Sequence, residues 1–297
     1  MKKIKLIFSV VCLFLASTNN YAQLTSFTEG INLATETNIF DTNIESETIK
    51  TKINEVKATQ ETAVEEKNNW NVNFEVTLAS RFIWRGLVLG DYPTIQPNVT
   101  FSNGGFFVGT WAAYSLSAAE TGGANSTEVP VAENYKEIIP YIGYGGKIGD
   151  NSNLTVMILS HYNPNNGGFF DFNNVPAGSE NAINNRVELR TIYNIGKLDF
   201  FGGWDFANDP TGNSSLYLEM GYTFDFANDI KVRPFISGVP NDNFYTKDGE
   251  ADLTQIGWYT SKSLSIAKNI NLVLKADMVY NPDRDQFNAA FNATIKL

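Results

Sequence analysis

Arg186, Glu188 and Arg190 stand two residues apart, and in an extended chain that spacing puts all three side chains on one face, within reach of one another across the pleat. Alternating charge of this kind can bridge internally, bridge to neighbouring strands, or line a constriction that selects solutes by charge. The same alternation brings Lys275 and Asp277 to one face. It also sets Glu75, Arg81, Arg85, Glu137, Asp205 and Glu219 on the wet side of their segments. These eleven residues are the expected lining of a pore. The competing possibility is a set of ion pairs that hold a lumen shut, because ionised groups removed from bulk water must be paired.

Covalent chemistry has little to work with. The chain has one histidine, His161, and its neighbour Ser160 would point to the opposite face of a strand, out of reach as a nucleophile. Catalysis is therefore not expected. Neither is a metal or other cofactor: there is one cysteine, no EF-hand spacing, and no glycine-rich loop opening a helix. Asp205, Asn208 and Asp209 are at most a weak calcium set.

The elements that must position these charges are strands. From Trp70 onward, apolar and polar residues alternate with period two: Val72, Phe74, Val76, Leu78, Phe82 and Trp84 on one side, Asn71, Asn73, Glu75, Thr77, Arg81 and Arg85 on the other. The pattern recurs through 286–297. Strands are expected near 70–84, 94–101, 106–116, 135–148, 154–162, 185–195, 198–206, 215–226, 230–238, 253–265, 270–280 and 286–297. Most have the length that crosses a bilayer at a tilt. Short Gly/Asn/Asp links (103–105, 149–153, 196–197, 227–229, 267–269) alternate with longer ones (85–93, 117–134, 163–184, 208–213, 239–252), as the periplasmic turns and outer loops of a barrel do. Trp70, Trp84, Tyr162, Phe226 and Tyr280 are placed to form interfacial girdles. The expected fold is all-β: an antiparallel up-and-down transmembrane β-barrel of about twelve strands.

The rest of the chain agrees. Three lysines in the first five residues precede an apolar run, 6–16, and a small polar stretch ending at Ala22. This is the pattern of a secretory signal peptide cleaved after Ala22. Residues 23–68 are rich in Thr, Glu, Asn and Lys and are expected to form a flexible or weakly helical periplasmic tether, with the barrel spanning 69–297. The formal charge of −10 argues against nucleic acid as a partner.

The run Ser80-Arg81-Phe82-Ile83-Trp84-Arg85-Gly86, followed by Pro93 and Gln96-Pro97, resembles the TorF-like porin family, as does Glu137–Tyr144 with Pro140-Tyr141 and Gly143-Tyr144. The resemblance implies a bacterial outer-membrane barrel, with lipid, the outer-membrane insertion machinery and small polar solutes as partners; oligomeric state is left open. Ending at Leu297 rather than at an aromatic residue is a departure from that pattern. The expected function is passive diffusion of small polar or charged solutes through a narrow lumen. The alternative is a non-conducting surface-binding barrel acting through outer loops that carry Phe169, Phe170 and Phe172; a lipid-modifying enzyme is a more distant one.

Overall fold

The computed structural model describes residues 70–116, 135–164, 168–170 and 185–297. The signal-peptide and tether expectations lie outside the described residues, as do loop 117–134 and Phe172.

The described elements are β1 (Asn71–Ala79), β2 (Phe82–Trp84), β3 (Leu87–Gly90), β4 (Thr94–Asn103), β5 (Phe106–Ser115), β6 (Lys136–Gly149), β7 (Ser152–Tyr162), β8 (Asn185–Ile195), β9 (Leu198–Ala207), β10 (Leu216–Tyr222), β11 (Phe224–Phe226), β12 (Ile230–Val239), β13 (Asp252–Ala267), β14 (Ile270–Asn281) and β15 (Gln286–Lys296). All but β2 and β3 belong to one antiparallel sheet, in which β10 and β11 are two pieces of one position interrupted at Thr223. The sheet closes where β1 pairs β15 (Val76 opposite Ile295, Ala79 opposite Asn292). The result is a closed barrel of twelve strands, each paired to its neighbours in sequence. Among the described residues no helix is long and apolar enough to cross a membrane.

Local chemistry explains the turns. At one end, links of a few residues place Gly104, Gly196, Asn228, Asp229 and Asn269 at positive φ, which tight hairpin turns require and which Gly, Asn and Asp tolerate best. The described longer links, 208–215 and 240–251, lie at the other end.

Burial follows the alternation. Phe74, Leu78, Phe101, Ile142, Ile158, Trp204, Leu218, Trp258, Leu274, Phe291 and Ile295 stand exposed on the outside, while the buried set is dominated by Glu, Asp, Arg, Asn, Gln and Thr pointing inward. A water-soluble β protein packs its apolar faces inward. This one is inverted.

The first strand is shorter than expected. Instead of continuing to Trp84, the wall ends at Ala79, the chain bends at Ser80-Arg81, and residues 82–90 form a separate two-stranded hairpin. Its ladder is its own. At its tip Arg85 (φ 50°) and Gly86 (φ 84°) adopt left-handed conformations. Asn281 Nδ2 donates to Gly86 O at 3.0 Å, and the Thr254 backbone lies where a Gly86 side chain would be. The hairpin therefore lies inside the barrel. Its ring Phe82 packs on Trp111 and Tyr135, and Trp84 on His161, Phe244 and Tyr245. The expectation that Phe82 and Trp84 face lipid is thus corrected: once the chain turns inward, the phase of alternation no longer points outward. Trp70, Phe226 and Tyr280 remain exposed near strand ends.

Candidate functional site: a charge network closing the lumen

Among the described residues, two segments from the long-loop end fill the lumen, the hairpin 82–90 and residues 241–250, which follow β12. The second is held by Asn243, whose Oδ1 accepts from the Tyr245 and Thr246 amides (2.7 and 3.0 Å) and whose Nδ2 donates to Asn241 O and Glu250 O. This side-chain-capped turn delivers Tyr245 into the interior, fully buried.

Glu188 is the centre. Its Oε1 accepts from Arg85 Nη2 at 2.6 Å and from Arg190 Nε at 2.8 Å, and its Oε2 lies 2.9 Å from His161 Nε2. The other imidazole nitrogen, Nδ1, lies 2.9 Å from Glu137 Oε1, while Glu137 Oε2 accepts from the Tyr135 hydroxyl at 2.6 Å. His161 thus bridges the two carboxylates through its two ring nitrogens. Asp205 accepts from Arg186 and, at 2.5 Å, from the Tyr245 hydroxyl, and Arg85 donates to that same hydroxyl oxygen. Burial pushes the Tyr245 phenol well above its ordinary value, so it stays a donor to Asp205.

Aromatic rings complete the packing. The Arg85 guanidinium carbon lies 4.6 Å from the Tyr217 ring, 5.2 Å from Phe201, 5.4 Å from Tyr245 and 4.7 Å from Trp84, and Arg186 lies 4.9 Å from both Trp84 and Phe244. Gly203, on β9, makes the space: a Cβ there would collide with Arg85 Nη2 and come within 2.7 Å of Glu188 Oε1.

A second cluster occupies the same lumen. Arg233 pairs with Asp199 and, at 2.9 Å, with Glu219 Oε1; Tyr217 donates to Glu219 Oε2 at 2.6 Å, and Gln255 donates to Tyr217. Gly221 leaves room for the Arg233 head as Gly203 does for Arg85. Lys275 and Asp277 pair at 2.9 Å, and Asn292 donates to Asp277 at 2.8 Å.

The eleven expected lining residues thus divide. Arg85, Glu137, Arg190, Glu219, Lys275 and Asp277 all border one cavity of about 130 Å³ beside the hairpin. Arg186, Glu188 and Asp205 belong to the network next to it. Glu75 is buried and pairs with Lys296 at 3.2 Å. Arg81 is not in the lumen wall: it lies at the bend after β1, part-exposed, paired with Asp91 and 3.4 Å from Asn288 Oδ1. Arg85 reaches the centre from the hairpin tip rather than from a wall strand.

Three expected neighbours do not converge. Asp205 is taken by Arg186 and Tyr245, Asn208 donates to Asn185 O, and Asp209 accepts from Thr211 and Ser215. His161, Glu188 and Asp205 do offer ligand atoms within 4.8 Å of one another. Arg85, Arg186 and Arg190 already occupy those carboxylates, so a divalent cation would have to displace guanidinium groups. The arrangement fits charge neutralisation, not metal binding.

Sequence reasoning missed Tyr135, Tyr217, Tyr245 and Gly203, and placed Trp84 on the wrong side. Two signals pointed toward them: the Arg85-Gly86 pair, a turn within an alternating run, and the pair Phe244-Tyr245 inside an otherwise polar Asn/Asp-rich link.

Fold and site together define a closed antiparallel barrel with an apolar exterior and an interior of mixed charged and aromatic side chains, occupied by its own loops, an architecture consistent with outer-membrane barrels. The chain belongs to the Gcw_chp family, described as a bacterial protein of unknown function, whose model matches residues 63–272, from ahead of β1 into β14. A search of curated proteins found no match.

Proposed function

We propose that this protein is an outer-membrane channel of narrow bore for small polar or charged solutes, closed at rest by the hairpin 82–90. The observation that carries this reading is the position of Arg85, brought by a segment outside the wall ladder onto Glu188 inside the lumen. The wall is complete without the hairpin, since β1 pairs β4 and β15 directly. Moving the hairpin breaks side-chain contacts and leaves the barrel hydrogen bonds in place.

The outward apolar band supports membrane insertion, because lipid is the solvent in which such a surface is favourable. Twelve strands fall between the filled interiors of eight-stranded barrels and the open channels of sixteen. The bore is therefore one that the hairpin can close together with residues 241–250. The resemblance to TorF-like porins supports the same reading, and the run that carries it, Ser80–Gly86, contains the tip of the closing hairpin.

The test is planar-bilayer conductance of the wild type and of a variant in which residues 82–90 are replaced by a short Gly-Ser link. Brief, rare openings in the wild type and sustained conductance in the variant are expected. A folded variant that passes no current overturns the channel reading. The second reading, a surface-binding barrel, draws on Phe170, which is 84% exposed; unchanged surface binding after Phe170→Ser removes it.

A further inference from the structure

The hairpin does more than obstruct the lumen: its tip fills a niche whose walls belong to the rest of the barrel. With Arg85 set aside, the niche has Glu188 and Asp205 as acidic walls, both fully buried, Phe201, Tyr217 and Tyr245 as ring walls, and Gly203 as its base. Gly203 has no positive φ to satisfy, and its flanking residues pair regularly with β8 and β10, so its lack of a side chain serves space rather than backbone geometry. A planar cation flanked by rings, with carboxylates at its edge, is the arrangement that recognises a guanidinium group.

Resting on the gated-channel reading above, we propose that this niche is a binding site for solutes bearing a guanidinium group, and that Arg85 is its resident occupant. Such a solute competes with Arg85 for Glu188 and the rings. Its binding favours hairpin withdrawal, because solute and Arg85 cannot occupy the niche together. Arg190 and Arg186 keep their hold on Glu188 and Asp205 when Arg85 leaves, so the carboxylates are never stripped of countercharge. This makes exchange feasible, and it limits affinity to the weak range suited to a solute in transit.

The experiment uses the full chain refolded in detergent with ethylguanidinium as probe, followed by calorimetry and tryptophan emission. Arg85→Gly empties the niche and suits the left-handed tip, where Arg85 has φ 50°. Saturable one-to-one binding to this variant is expected, weakened about tenfold or more by adding Gly203→Val, a loss of roughly 1.4 kcal/mol. A folded Arg85→Gly barrel that does not bind the probe saturably, or binds it equally with Gly203→Val, overturns the site. If Arg85→Gly does not fold, the wild type decides: ethylguanidinium, but not sodium at equal ionic strength, must speed hydrogen exchange at the amides of 82–90, and equal exchange in both salts overturns the proposal. Binding without conductance in any variant leaves the niche standing and removes the channel; conductance of the hairpin replacement without probe binding to Arg85→Gly does the reverse.

Discussion

Arg85 Nη2 donates to Glu188 Oε1 at 2.6 Å across 103 residues of sequence, joining the tip of an inward hairpin to the middle of a wall strand. Neither side chain meets bulk water, so each charge is sustained by the other, that of Glu188 also by Arg190 and that of Arg85 also by Asp205.

Glu188→Gln therefore has two consequences. It leaves the buried Arg85 and Arg190 guanidinium groups without their shared carboxylate, a change that costs about 3–5 kcal/mol where a buried pair is broken. Open probability in a bilayer should rise, and the urea midpoint of the refolded barrel should fall. An unaltered gating record together with an unaltered midpoint would refute the central role of Glu188.

The Arg233 niche gives a purely structural counterpart. A Cβ at Gly221 would overlap the Arg233 guanidinium, which pairs with Asp199 and Glu219. Gly221→Ala should lower stability by about 1–3 kcal/mol through overpacking, read from denaturant unfolding. Because Arg233 is not on the hairpin, opening frequency should change less than in Glu188→Gln.

Tyr245 predicts a dependence on pH. Burial raises its phenol well above the ordinary value, so the closed state favours the protonated form. Once the lumen opens to water the group titrates near its ordinary value of about 10. A group whose pKa is raised in the closed state supports closure fully below that ordinary value and loses that support as pH rises above it. Open probability should climb above roughly pH 10, and Tyr245→Phe, which has no phenol to ionise, should flatten the climb. A rise of equal size in Tyr245→Phe would assign it to other groups.

Membrane insertion has its own test at Ile158, which is exposed on the outer face midway along β7. Ile158→Arg puts a cation against the hydrocarbon midplane at a cost of about 2–4 kcal/mol. Folding yield into lipid vesicles should drop, while Asn163→Arg, at the end of the strand, should fold as the wild type does. Equal yields for both would argue against a bilayer around this band.

Much of the architecture follows from local rules. Period-two alternation marked all twelve wall strands, because a strand with one wet and one oily face has a single workable orientation in a barrel. Turn residues such as Asn228-Asp229 and Gly196 marked one rim, because positive φ is a local demand. Charge on the inner face marked Glu137, Arg190, Glu219, Lys275 and Asp277 as lumen residues, since an ion cannot be left facing lipid. What alternation does not encode is where a loop goes once it leaves the wall. Phe82 and Trp84 keep the phase of β1, yet they pack on Trp111 and His161 because the chain bends at Ser80-Arg81. His161 has no neighbour in sequence that foretells Glu137 on one nitrogen and Glu188 on the other; those contacts come from register across β6, β7 and β8. Strand patterns are local and legible in one dimension. The closing of the lumen depends on side chains brought together from six distant segments, and only the tertiary structure brings them within a hydrogen bond of one another.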